Sequence, residues 1–211
     1  MCGIAGFYDT RSRDVLPDGE ARLKAQIETL LHRGPDATKV HSGPGVGLAH
    51  SRLAIIDLSE SANQPMTDAS RKIHVVYNGE IYNFQDIRRD LEARGCSFRT
   101  KSDTEVVVEG YRVWGIEVVN RLRGMFSMAL WDQPKDRLIL IRDRVGKKPL
   151  YYGTFGGTLV FGSEIKAIRA WPGVPREPNL DAIHAYLTYQ YVPSPMTAFR
   201  GICKLPPGCL L

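Results

Sequence analysis

No Cys-x-x-Cys pair and no histidine spacing suited to zinc occurs in this sequence, so neither a structural metal nor a dense disulfide framework is indicated. The four cysteines, Cys2, Cys96, Cys203 and Cys209, read instead as reduced thiols, which predicts a cytoplasmic protein. No apolar run approaches the length of a membrane span. The opening Met1-Cys2-Gly3-Ile4-Ala5-Gly6-Phe7-Tyr8-Asp9 meets an acid before a signal-peptide apolar region can develop, so Cys2 is not expected to be a lipidated cysteine. Internal repeats and low-complexity tracts are also missing. Although the net charge is +5, the basic residues are scattered among 23 acidic ones. The densest basic stretch, Arg142-Asp143-Arg144-Val145-Gly146-Lys147-Lys148, contains an Asp and lacks the interleaved aromatics of a single-strand reader. Neither a nucleic-acid partner nor a membrane partner is expected.

What is present is a globular composition, 43% hydrophobic and 24% charged over 211 residues, enough for one substantial domain and a remnant. Leu23, Ile27, Leu30 and Leu31 follow one helical face, stopped by Gly34-Pro35. Phe84, Ile87 and Leu91 mark a second helix, with a cap at Asn83 and an end at Gly95. The capping-box pattern Ser102-Asp103-Thr104-Glu105 starts a third, which carries Val107, Gly110, Tyr111 and Trp114 on one stripe before Gly115. Between the helices, Gly3 to Tyr8, Gly45 to His50, Ile73 to Tyr77, Met125 to Trp131, Leu138 to Ile141, Leu150 to Gly153 and Leu159 to Phe161 read as strands. The unbroken apolarity of 125–131 predicts a strand buried on both faces, and so a layered α+β domain.

From Trp171 onward seven prolines crowd the chain, interrupted by one short helix over about Leu180 to Thr188. The expected division is a domain over 2–170 and a connector over 171–211 leading into a truncated further domain, since the chain stops at Leu210-Leu211 without a helix stop or polar tail.

Position 2 offers chemistry as well as structure. Cysteine is small enough for removal of Met1, which would leave one residue carrying a thiol and a free α-amine. The amine's ordinary pKa, about 8, lies close to that of the thiol, so it can accept the thiol proton near neutral pH. On position alone, Cys2 reads as an ordinary small residue at a strand start rather than as a nucleophile.

The neighbours decide. Met1-Cys2-Gly3-Ile4-Ala5-Gly6, Arg33-Gly34-Pro35-Asp36, Ser51-Arg52-Leu53-Ala54-Ile55-Ile56-Asp57, Asn63-Gln64-Pro65-Met66, Tyr77-Asn78-Gly79-Glu80-Ile81-Tyr82-Asn83 and Ser102-Asp103-Thr104-Glu105 occur in this order. Together they resemble the class II glutamine amidotransferases, a branch of the N-terminal-nucleophile hydrolases. Gly124-Met125-Phe126, the run from Arg142 to Tyr152 and Phe161-Gly162-Ser163-Glu164-Ile165-Lys166-Ala167 look like the glutamine-hydrolysing asparagine synthetase branch. The match covers almost the whole chain. It implies a four-layer αββα sandwich of two antiparallel sheets flanked by helices.

The resemblance also implies roles. Cys2 is the expected nucleophile, with Asn78 and Gly79 as the oxyanion hole. Asn78-Gly79 is at the same time the strongest short hairpin signal, and a turn would be compatible with an oxyanion donor. Glutamine's carboxylate and ammonium need a cation and an anion, for which Arg52 and Asp103 fit; the plainer alternatives are a surface ion pair and a helix N-terminal acid. Leu53, Ala54, Ile55 and Ile56 are expected to line the glutamine pocket with backbone, and Glu80 to lie beside the substrate amine. His50 reads as a satisfied structural imidazole, and His32, His41, His74 and His184 show no metal spacing.

No cofactor is expected for this domain. ATP and Mg²⁺ belong in the resemblance to a C-terminal synthetase domain of the same polypeptide, whose Ser-Gly-Gly-x-Asp-Ser signature does not occur; Ser42-Gly43-Pro44-Gly45 lies too early and lacks the acid. The expected partners are L-glutamine and that synthetase domain, and apolar surface turned toward the domain could also pair two copies as a homodimer. Cys203 and Cys209 depart from the polar or basic residues expected in the connector. Two other readings stay open: the same glutaminase chemistry feeding another carboxylate acceptor, and a silent regulatory domain that has kept the fold.

Overall fold

The computed structural model describes residues 1–211. The elements in chain order are β1 (Gly3–Asp9), α1 (Gly19–Glu28), β2 (Ala37–Gly43), β3 (Val46–Arg52), β4 (Met66–Thr67), β5 (Ile73–Ile81), α2 (Phe84–Ala93), α3 (Asp103–Trp114), α4 (Val118–Arg121), β6 (Gly124–Asp132), β7 (Arg137–Arg142), β8 (Tyr151–Phe155), β9 (Thr158–Gly162), α5 (Ile165–Arg169), α6 (Leu180–Tyr189) and β10 (Cys203–Lys204). All seven expected strands are present. β2, β4 and β10 were not foreseen.

The strands form two antiparallel sheets, ordered β10-β8-β9-β1-β3-β2 and β4-β5-β6-β7. Strand alternation sends successive side chains to opposite faces, and three apolar clusters result. Ala5 and Phe7 of β1 pack with Leu23 and Ile27 of α1 and Ala167 and Ile168 of α5. Ile4 of the same strand faces the other way, joining Val46 and Leu48 against Val76, Ala129, Trp131 and Leu140 of the second sheet. Val75, Tyr77, Phe126 and Met128 turn outward onto Val107, Tyr111 and Leu91 of α3 and α2. Helix, sheet, sheet, helix: the fold is the four-layer α+β sandwich, with β6 buried on both faces as its apolarity required.

Local deviations have local causes. Leu31 fits the helical spacing, but α1 ends at Glu28, a 3₁₀ turn follows, and Leu31 is exposed. Asn83 precedes α2 without capping it; its carboxamide bridges Arg121 O (3.0 Å) and Arg123 N (2.9 Å). Only half of the capping box forms at α3. Ser102 Oγ accepts from Glu105 N at 3.3 Å, while the Glu105 carboxylate accepts from the amides of Arg99 and Thr100 instead of reaching back to Ser102.

Residues 171–211 do not leave the domain as a free connector. Trp171, Ile202 and Leu205 are buried in its clusters, β10 extends the first sheet, and Leu211 exchanges two backbone hydrogen bonds with Leu140 on β7. No helix is long and apolar enough to cross a membrane.

Candidate active site

β1 and β3 run antiparallel with Gly3 opposite Ser51, so the start of one strand and the end of the other meet at one edge. Cys2 therefore stands beside Arg52 and Leu53. The second sheet supplies the facing wall through β5, and His50 Nε2 at 3.1 Å from Tyr77 O ties the two sheets at this point. Between them lies a cavity of about 200 Å³, lined by Cys2, Arg52, Leu53, Ile55, Ile56, Asn78, Gly79, Glu80 and Asp103 together with Met1, Gln64, Tyr77 and Lys148. That is below the roughly 300–1,000 Å³ of drug-sized pockets, a volume for a small metabolite. Every expected site residue except Ala54 reaches it. Ala54 is turned away, its amide spent on Asp36 Oδ2 at 2.8 Å.

The Cys2 sulfur lies 3.4 Å from the Leu53 amide, which donates to it. Burial pushes the thiol pKa up, while the Leu53 amide, the N-terminal ammonium and Arg52 pull it down and Asp103 opposes them. Arg33 fixes the residue from behind: its Nε donates to Cys2 O at 2.9 Å and its Nη1 to Glu164 Oε1 at 2.9 Å. Gly34 is required next to it because a Cβ there would lie 2.5 Å from Ser51 O and from Arg52 C.

Asn78 and Gly79 are not in a turn. They lie within β5, opposite Ser127 and Phe126 of β6, which corrects the hairpin reading. The amides of Tyr77 and Ile81 leave the free edge of β5 to meet Gln64 Oε1 (2.6 Å) and Asp103 Oδ2 (3.0 Å). With a two-residue repeat, the Gly79 amide points to that same edge, at the cavity. Packing requires glycine at position 79: a Cβ would strike Met125 O and lie 2.8 Å from Phe126 Cα on β6. The Asn78 side chain is 1% exposed, and its amide nitrogen has no hydrogen-bond partner. Such a donor costs stability unless something is meant to meet it.

Arg52 is no surface ion pair. It is 7% exposed with no carboxylate partner, and it donates from Nη1 to Ser59 O (2.7 Å) and Asn63 Oδ1 (2.8 Å) and from Nη2 to Asp57 O. Three of its five N–H groups thus shape the 57–63 loop, and two remain for a ligand. Asp103 is indeed the first residue of α3, and it also meets the cavity; Oδ2 accepts from Tyr77 Oη at 2.7 Å and from Ile81 N. Burial raises its pKa against those hydrogen bonds. Glu80 is raised too, by burial and by Asp103, with Lys148 acting in the opposite sense. His50 is buried and held neutral, its pKa pushed down to about 3 chiefly by desolvation, as a structural imidazole requires. No group of three or more His, Cys, Asp or Glu is placed to hold a metal ion.

Sequence reasoning assigned nothing to Arg33, Gln64, Tyr77 or Lys148. Arg33, Gln64 and Tyr77 lie inside the quoted motifs, which was the available signal. Lys148 lay in the basic stretch and in the run from Arg142 to Tyr152 quoted for the resemblance, which gave it no role.

A model of the glutamine amidotransferase domain matches residues 1–211. Asparagine synthetase [glutamine-hydrolyzing] 1 of Bacillus subtilis is 36% identical over 208 residues, 99% of this chain and 33% of that protein. Amidase chry2 of Gibberella zeae is 36% identical over 217 residues, 99% of this chain and 32% of that protein. The chain thus spans about a third of the length of these relatives. Among solved structures, a glutamine phosphoribosylpyrophosphate amidotransferase from B. subtilis, complexed with ADP and GMP, superposes with a TM-score of 0.65 at 21% identity, over 80% of this chain and 43% of that one, a likeness of fold. With the match running the full length of the sequence, the chain belongs to the glutamine amidotransferase domain family.

Proposed function

We propose that this domain hydrolyses the side-chain amide of L-glutamine to glutamate and ammonia, with Cys2 as nucleophile. The carrying observation is a half-buried thiol in one small cavity with an unpaired carboxamide donor, a cation with two free donors and two carboxylates. Arg52 holds the substrate α-carboxylate through its two remaining N–H groups, and Asp103 and Glu80 receive the α-ammonium. The Cys2 thiolate attacks the amide carbon. The oxyanion is met by the Asn78 amide and the Gly79 N–H. Ammonia leaves, water cleaves the thioester, and the Cys2 α-amine moves the proton in both steps.

With Met1 attached, the Cys2 nitrogen is an amide and cannot act as a base, so removal of Met1 is part of the proposal. The test joins intact mass to ammonia release from wild type and Cys2→Ala. The expected results are a mature N-terminal cysteine and loss of activity in the variant; retained Met1 in active protein, or unchanged release by Cys2→Ala, refutes the mechanism.

The ammonia is proposed to serve ATP-dependent amidation of aspartate by a synthetase domain of the full polypeptide, as the names of the B. subtilis relatives suggest. Amidase chry2, equally similar, supports a second reading in which the same glutaminase chemistry feeds another acceptor. The two part on which carboxylate the full polypeptide amidates with glutamine and ATP.

A further inference from the structure

Lys148 is a buried cation that the glutaminase reading does not use. The loop between β7 and β8 presents it by pinning its backbone at both ends. The Asp143 carboxylate accepts from the amides of Phe126 (3.1 Å), Val145 (3.1 Å), Lys147 (2.9 Å) and Lys148 (3.0 Å). Arg142 in turn donates to Lys148 O (2.7 Å), Gly146 O (2.7 Å) and Leu205 O (2.6 Å). The side chain then runs into the glutamine cavity, where it is 6% exposed. Its ammonium makes one polar contact, Met1 Sδ at 3.3 Å, which the proposed removal of Met1 takes away, and no carboxylate lies within ion-pair distance. A buried ammonium without a paired anion is costly, and a loop built this rigidly to place one calls for a use.

The surrounding charges come from four directions. Burial and Arg33, next to β2, lower the Lys148 pKa from its ordinary value, while Cys2 at the head of β1, Asp143 on its own loop and Glu80 on β5 act against them and favour the protonated lysine. Cys2 in turn is faced by Arg52 and the chain terminus, which favour the thiolate, and by Asp103, which disfavours it.

We propose that Lys148 is a positioning residue for the Cys2 centre, whose ammonium lowers the pH at which the paired thiol and α-amine shed their second proton. This rests on Cys2 being the nucleophile. The reactive form holds one proton between sulfur and nitrogen, and the inactive acid form holds two, as thiol and ammonium. A fixed positive charge nearby disfavours the doubly protonated form, whichever atom loses the proton. The second proton leaves to solvent, and the one retained is passed by the α-amine to the departing ammonia.

The test is the pH dependence of Cys2 alkylation by iodoacetamide, read by mass spectrometry on the N-terminal peptide, beside the acid limb of kcat/KM for glutamine. Lys148→Met and Lys148→Gln are expected to move both curves up by about one pH unit, a roughly tenfold slower alkylation on the acid side. Lys148→Arg keeps the charge and is expected to restore both. Curves that stay in place in whichever neutral variant folds, or that move as far in Lys148→Arg, overturn the proposal. A failure of the underlying mechanism shows separately, as ammonia release that survives Cys2→Ala.

Discussion

Asn78→Ala separates a catalytic role from a structural one because of what the side chain does not touch. Its amide nitrogen is buried without a partner, so truncation breaks no hydrogen bond in the resting protein. It relieves an unpaired donor, worth about 1–3 kcal/mol, and loses the packing of a small side chain. These oppose each other, and the net change in stability is expected to stay within about 1 kcal/mol. In the transition state the same nitrogen meets a developing oxyanion, and losing it costs about 2.7–4 kcal/mol, or 10²–10³ in kcat. The assay is initial-rate ammonia release against glutamine concentration, with a chemical denaturation curve for each protein. The expected result is a hundredfold or greater fall in kcat at nearly constant KM and unchanged stability. Equal weakening of kcat and KM would make Asn78 a plain binding group; a loss of more than about 2 kcal/mol of stability would make it part of the core.

The adjacent glycine gives the opposite pattern. Gly79→Ala drives a Cβ into β6 at Met125 and Phe126, so it is expected to cost about 1–3 kcal/mol of stability, read as a shifted denaturation midpoint, before any catalytic effect. A normally stable Gly79→Ala would refute the packing reason. For pH, His50 has its pKa depressed to about 3 by burial, against an ordinary value near 6.5. Between those values the unfolded chain takes up a proton that the folded one refuses. The contribution is therefore complete above pH 6.5 and lost as the pH falls toward 3, by about 2 kcal/mol at pH 5. His74, lowered to about 4 by burial and by His41, adds in the same sense. Urea curves at pH 7.5 and 5 are expected to show this loss and to show less of it in His50→Gln; an identical loss in that variant would discount His50.

The parts of the fold that could be read from the sequence were those that bury one face by local pattern. β6 is apolar without a break because clusters pack on both its sides, and α2 carries Ile87 and Leu91 inward with charges outward. β2 escaped because it is an edge strand, Ala-Thr-Lys-Val-His-Ser-Gly, half-exposed along its length and paired on one side only. β4 and β10 are two residues each and exist through their partners. Asn78-Gly79 misled for a related reason. The dipeptide's turn preference is a local energy, whereas β5 is held extended by nine register pairs with β6, and the close crossing at Met125 and Phe126 demands the glycine inside the strand.

The site divides along the same line. Charged motif residues lend themselves to binding roles, yet most of their hydrogen bonds go to backbone: Arg33 to Cys2 O, Asp36 to Ala54 N, Asp57 to the amides of Ser59 and Lys101, Asp143 to four amides, and Arg52 to Ser59 O and Asp57 O. Sequence shows that a carboxylate is there; it does not show whether its partner is a ligand or a loop. Of what remains, the amide nitrogen of Asn78, two donors of Arg52 and the ammonium of Lys148, whose one contact is Met1 Sδ, line the cavity, whereas the unpaired Gln26 Oε1, Trp114 Nε1, Ser127 Oγ and Arg33 Nη2 belong to residues outside its lining. Because most buried polar groups are satisfied, the leftovers that line the cavity mark its chemistry better than the motifs do. The cations of the basic stretch divide in the same way. Arg142 is spent on carbonyls that close the loop, Arg144 on Leu122 O and Asn120 O at the end of α4, and the pinned Lys148 ends in the cavity that Cys2 also lines.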